Sequence, residues 1–169
     1  MESTKRPALL LVARVLNEAA IPYALIGGVA LQVHHPDPRT TLDVDLAVLS
    51  VEQLPRPRLE AVGFRFTGRF PHSENWLGPE ETPVQFTDDP ALADAVRRAD
   101  SIELDGVLLR VIRRTDLLRE KLRAGSDPAR RRSKRLQDLA DAQALIEADP
   151  SLATDLTTGE RSVLDRLPE

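Results

Sequence analysis

No cysteine occurs in the chain, which excludes disulfides, thiolate metal sites and thiol nucleophiles and suits a reducing compartment. Aromatic residues make up only 4%, too few for the ring platforms that stack single-stranded bases. The three histidines are His34, His35 and His72; no two have the helical spacing of a zinc site. Long apolar runs are also missing. The run Ala8 to Val12 is soon broken by Arg14, Asn17 and Glu18, so it reads as an amphipathic helix rather than a signal peptide or membrane span. A cytoplasmic protein with no membrane role is expected.

What remains is an ordinary globular composition, 41% hydrophobic and 30% charged over 169 residues. That length suits one compact domain, with a core over residues 1–112 and a helical extension over 113–169 packed on it. The net charge of −4 conceals an asymmetry. Arg110 to Arg135 holds eleven Lys/Arg against three Asp/Glu, a balance of +8 that leaves −12 on the rest. Such a segment attracts phosphates, or is a solvated helix face or a partner contact.

Periodicity places a helix over Ala8 to Ala20, ended by Pro22, then a short buried strand from Tyr23 to Ile26. After Gly28 a helix begins at Val29 and runs to Val33; His34 to Pro38 is loop, because residues before proline leave the helical region. Leu42 to Leu49 alternates as a strand, and Ser50 caps an irregular helix over Val51 to Val62. Phe64 to Thr67 and Pro83 to Thr87 read as strands, with no assignment around Trp76. Asp89-Pro90 opens a helix to Arg98. Asp105-Gly106 joins Ser101 to Leu104 and Val107 to Ile112 as a hairpin. Thr115 caps a helix stopped by Gly125, a long helix follows from Ala129 to Ala148, and the tail from Thr157 adds a short one or frays. Strands interleaved with helices give an α/β (α+β) class.

The stretch from Tyr23 to Leu49 carries the chemistry. Paired glycines between a strand and a helix serve as a tight turn, or let helix N-terminal amides meet a phosphate chain. Downstream, Asp43 and Asp45 fall two apart in the strand pattern and therefore on one face. Two adjacent carboxylates repel unless a cation lies between them. Mg2+ (or Mn2+), a hard ion that takes oxygen ligands and keeps substrate phosphates and water, is the natural occupant. The combination of Gly27-Gly28 with Asp43-Val44-Asp45 favours the metal reading over a solvated edge strand.

Ile26-Gly27-Gly28, then fourteen residues, then Asp43-Val44-Asp45 resembles the nucleotidyltransferase signature of the DNA polymerase beta superfamily. The pattern Gly27 to Leu31 followed by Arg39-Thr40-Thr41-Leu42-Asp43-Val44-Asp45 is similar to small bacterial nucleotidyltransferases of abortive-infection toxin–antitoxin systems (AbiE-like). Lys121 to Gly125 and Asp138 to Asp141 look like that group's C-terminal helices. The resemblance implies a nucleotidyltransferase fold, a short mixed sheet flanked by helices with a helical C-terminal part. It also implies that Gly27, Gly28, Arg39 and Thr41 contact the nucleotide and that Asp43 and Asp45 bind metal and are catalytic. The implied reaction moves a nucleoside monophosphate from an NTP to an acceptor hydroxyl: tRNA, a protein such as a cognate partner, or a small molecule such as an antibiotic.

The pattern departs from the family at one place. The third carboxylate expected on a later strand is replaced at Val84-Gln85-Phe86 by Gln85, whose amide can ligate weakly but cannot act as a base. A shifted strand would present Asp88 instead. Lys121 falls on the apolar side of its helix, either aimed at a phosphate or carboxylate or snorkelling at the margin. Asp138 and Asp141 share one side, opposite Leu136, Leu139 and Ile146, and either pair with Lys121 or arginines or face solvent. Arg130 to Arg135 either steers an RNA electrostatically or is a solvated run. Two rival functions stand beside transfer: a catalytically weak or inactive protein of this fold that binds a nucleic-acid or protein partner, and an antibiotic adenylyltransferase.

Overall fold

A computed structural model describes residues 5–166. Seven strands form one mixed sheet in the order β3-β4-β5-β2-β1-β7-β6. In chain order they are β1 (Tyr23–Ile26), β2 (Val44–Val48), β3 (Arg65–Phe70), β4 (Ser73–Leu77), β5 (Pro83–Thr87), β6 (Asp100–Leu104) and β7 (Val107–Val111). The central strands are buried because Tyr23, Ala24, Leu25, Val44, Leu46, Phe86 and Leu109 carry the apolar positions of their runs. β1 and β2 are antiparallel, β2 and β5 parallel, β1 and β7 parallel, and the outer pairs antiparallel.

Helices α1 (Arg6–Glu18), α2 (Gly27–His34), α3 (Arg56–Ala61) and α4 (Ala93–Arg97) are interspersed with the strands. α1 packs on β7, and α4 on β1 and β2. The later helices are α5 (Arg114–Ser126), α6 (Arg132–Ala148) and α7 (Thr158–Leu164). The chain divides into two compact units. The first holds the described residues up to Gln32 together with Arg39–Arg113; the second holds Val33–Pro38 and the described residues from Arg114 onward. Among the described residues no helix is long and apolar enough to cross a membrane.

Several sequence expectations need correction. The second strand starts at Val44, so Leu42 and Asp43 precede it, and Leu42 is solvent-exposed. The unassigned stretch around Trp76 is strand β4, paired on both sides. Its polar Glu74 is 1% exposed because Arg56 forms an ion pair with its carboxylate and Trp76 Nε1 donates to it at 3.3 Å. Val51 to Val62 is a 3-10 turn, Val51–Gln53, and then α3, as Pro55 breaks one continuous helix while Pro57 is accommodated in the first turn of α3.

Gly125 does not stop α5 but lies inside it. A Cβ there would sit 2.5 Å from Leu139 Cδ2, so glycine serves the close approach of α5 to α6. Asp138 and Asp141 are buried beside Ala142 and Leu145 while Leu136 is 55% exposed, so of their two readings the structure shows the pairing with Lys121. Its ammonium lies 3.0 Å from Asp138 Oδ1 and 2.7 Å from Asp141 Oδ2, and Arg130 Nε meets Asp138 Oδ2 at 2.7 Å. Two carboxylates and two cations thus form a charge-balanced cluster within the second unit.

Candidate active site

The site is built on the turn from β1 into α2. Gly27 has φ of +62°, a left-handed conformation that glycine adopts without penalty. A Cβ on it would also meet Asp45 Oδ2 at 2.5 Å, and one on Gly28 would meet Thr41 Cβ and Oγ1 at 2.6 Å. The diglycine bend is therefore in van der Waals contact with Asp45 and with the segment leading into β2. Lys5, buried and unanticipated from sequence, donates from Nζ to the Thr41 carbonyl at 2.5 Å and anchors that segment. Gln32 Nε2 donates to the Arg39 carbonyl at 3.3 Å, and Arg39 to that of Thr40 at 3.2 Å.

Asp43 and Asp45 border one cavity of about 220 Å³, with Thr67, Asn75, Trp76 and Gln85 also in its wall. Strand register explains the assembly. Asp45 pairs with Gln85 across β2–β5, and Gln85 with Asn75 across β5–β4; register partners share a face. Asp43 is exposed and Asp45 half-buried. Asp88 does not enter this row. It follows the end of β5, where its carboxylate accepts from Val51 N–H at 3.1 Å and lies 3.0 Å from the His72 ring. Gln85 is the side chain beside Asp45.

Sequence reasoning missed Thr67 and Asn75. Asn75 lies on the unassigned strand, and a polar Ser-Glu-Asn run carries no strand signal until Arg56 neutralises Glu74. Its Oδ1 is buried without a hydrogen-bond partner. Among the described residues no three His, Asp or Glu are placed to hold a metal ion together, so the two aspartates would act with carboxamide oxygens, water and substrate. That hard-oxygen donor set fits Mg2+, which is commonly held by one or two carboxylates plus phosphates. Lys121, Asp138 and Asp141 belong to the cluster of the second unit described above.

This mixed α/β sheet aligns with solved nucleotidyltransferase structures over most of the chain, and the chain has that fold. It is similar to an antigenic nucleotidyltransferase-like protein from Paracoccidioides brasiliensis, with 21% identity over 94% of this chain and 84% of the other at a TM-score of 0.64. JHP933 from Helicobacter pylori aligns at 18% identity over 97% of this chain and 73% of the other, TM-score 0.60. The lincosamide antibiotic adenylyltransferase LnuA, solved with lincomycin bound, aligns at 16% identity over 83% of this chain and 95% of its own, TM-score 0.57. No family model and no curated protein sequence matches the chain.

The bend gives a direct test. Gly27→Ala should lose about 1–2 kcal/mol of stability from the left-handed strain alone and push the Asp45 carboxylate out of place. Gly63→Ala is the control, because φ there is +101° yet a Cβ would meet nothing within 4 Å. Thermal melts should show both variants weakened, with only Gly27→Ala losing metal-dependent NTP binding. Equal binding by the two would mean that the contact with Asp45 is incidental.

Proposed function

We propose that the protein is a nucleotidyltransferase that moves a nucleoside monophosphate from an NTP to an acceptor hydroxyl at the Asp43–Asp45 cavity. The observation that supports this reading is the contact of the diglycine bend with Asp45, since the amides of such a bend suit a phosphate and a carboxylate beside them suits a divalent ion. Backbone amides at the start of α2 hold the phosphate tail, helped by the positive end of the helix. Thr41, packed on Gly28, and Arg39 shape the approach to those amides. Asp43 and Asp45 would hold a divalent ion, which would supply neutralisation of the charge on the transferring phosphoryl group.

The acceptor oxygen attacks the α-phosphorus in line, its bond to phosphorus forms as the bond to pyrophosphate breaks, and the hydroxyl proton passes to water. Gln85 cannot take that proton, so the reaction proceeds without the carboxylate base that a third acid would supply. A slow turnover follows from this, since general-base help typically contributes about a hundredfold or more. A toxin–antitoxin role of the AbiE-like kind is supported by the Arg39 to Asp45 pattern, and antibiotic adenylylation by the likeness to LnuA.

Incubating the protein with α-labelled NTPs, Mg2+ and cell extract tests the reading. Label should appear on an acceptor in a protein- and metal-dependent way. Metal-dependent NTP binding with no label transferred at any enzyme concentration would instead favour the binding role that Gln85 also suits.

A further inference from the structure

A cleft of about 600 Å³ lies within the first unit, away from the two aspartates. Sheet register fixes its place. β1 and β2 run antiparallel, so Ile26 is opposite Asp45 at one end and Tyr23 opposite Val48 at the other. The cleft is at the second end, between Ile21 and Pro22 ahead of β1 and Leu49 just after β2. The four residues of β1 separate it from the diglycine bend, roughly 13 Å at about 3.3 Å per residue. A nucleotide at the bend and a molecule in the cleft would occupy separate places. α1 shapes one wall: it ends with Ala20 at φ of +56°, and Ile21 N–H donates to the Leu16 carbonyl at 2.9 Å, which closes the helix and turns the chain toward β1. Buried Leu16, half-buried Ile21 and Leu49 and the exposed Leu108 of β7 make the lining mainly aliphatic. Such a volume and lining suit one small organic molecule.

Arg110 gives the cleft its charge. Its half-buried side chain is part of the wall. Nε donates to the Tyr23 carbonyl at 3.3 Å and Nη2 to the Val96 carbonyl at 3.2 Å. These two carbonyls fix the guanidinium but leave its full charge unmatched. Arg56, Arg65, Arg69, Arg97 and Arg113 of the same unit each meet a carboxylate; among the described residues Arg110 meets none. A guanidinium is weakly hydrated, and its planar fork matches the two oxygens of a carboxylate. Arg97, also in the wall, is matched by Asp94 at 3.0 Å. The cleft therefore has one unmatched cation to offer and suits a ligand with a single negative charge.

We infer that this cleft binds a small carboxylic acid with an aliphatic or aryl body, at a site separate from that of the nucleotide. The carboxylate meets Arg110, and the body lies along Leu16, Ile21, Leu49 and Leu108. Inorganic anions lack an apolar body to cover those side chains. A chain of phosphates would need more than one unmatched cation.

Isothermal titration of the full chain tests this with octanoate, hydrocinnamate, octanamide, acetate and inorganic phosphate in turn. At least one of the two amphipathic acids should bind tenfold or more tighter than octanamide, acetate and phosphate. Arg110→Gln should weaken that binding tenfold or more. This variant also loses the bonds to the Tyr23 and Val96 carbonyls, so Leu108 supplies an independent pair. Leu108 is 51% exposed, and a polar side chain there leaves the core intact. Leu108→Glu sets a like charge beside the ligand and should cost tenfold or more, Leu108→Gln threefold or less. Saturating MgATP should leave the affinity within twofold. The inference is overturned if neither acid binds, if octanamide binds as tightly as the acids, or if Leu108→Glu and Leu108→Gln bind alike. A folded Arg110→Gln that binds as wild type would also overturn it. So would displacement of the acid by MgATP, which would put the ligand at the aspartates. Failure of MgATP itself to bind bears on the transfer reading alone.

Discussion

Asp45→Asn should lower nucleotide transfer roughly a thousandfold, about 4 kcal/mol of transition-state stabilisation, with thermal stability little changed. The amide keeps the shape that packs against Gly27 and removes the charge that the proposed cation site requires. Asp43→Asn should fall in the same range, because its carboxylate faces the same cavity. The double variant should lose little more than either single one, since the two acids act on one ion and such effects do not add. Initial rates of label transfer from an α-labelled NTP measure this. Loss of less than tenfold for both single variants would place the metal elsewhere.

The largest effect on stability is expected in the second unit. Lys121 is 5% exposed and its ammonium is shared by two buried carboxylates. Lys121→Met keeps the volume but takes the ammonium from both Asp138 and Asp141, leaving Asp138 its contact with Arg130. Removing one member of a buried ion cluster costs about 3–5 kcal/mol, because the remaining charges stay desolvated. For a chain of this size that corresponds to a fall in Tm of roughly 10 °C. Adding Asp141→Asn to Lys121→Met should recover much of the loss, since Asp138 and Arg130 then remain as a balanced pair. Thermal or urea unfolding gives the result. A shift below 1 kcal/mol for the single variant would mean that water reaches the cluster.

What was legible in the sequence follows from how local each signal is. Tyr23–Ile26 and Pro83–Thr87 are strands over the expected residues, because short apolar or alternating runs between breakers state their own conformation. The hairpin at Asp105-Gly106 is equally local: both residues have positive φ, as a two-residue turn between twisted strands demands. Ser50 and Asp89 cap as expected, through Glu52 N–H and Ala91 N–H.

The misses depend on distant partners. β4 is a strand whose polar Glu74 needs Arg56, 18 residues earlier. The choice between a paired and a solvent-facing Asp138 depends on Lys121, which lies 17 residues before it. Helical periodicity reads only its own side chains and cannot see a cation on the neighbouring helix. Gly125 reads as a stop because a glycine that admits Leu139 looks identical in sequence to one that ends a helix. In the candidate site, Gly27, Gly28, Asp43 and Asp45 are marked by their spacing, whereas Gln85 stands out only through the family resemblance, and the register sets it beside Asp45. Asn75, Thr67 and Lys5 carry no such mark, since only the folded sheet and its packing bring them to the same place.

The central claim is that the diglycine bend and two aspartates together hold a metal–triphosphate. Isothermal titration of an NTP into the protein, with Mg2+ and then with excess chelator, tests it most directly. Binding should appear with the metal, vanish with the chelator, and be absent from the Asp43→Asn/Asp45→Asn double variant. Equal binding with and without metal, or by wild type and double variant alike, would contradict it.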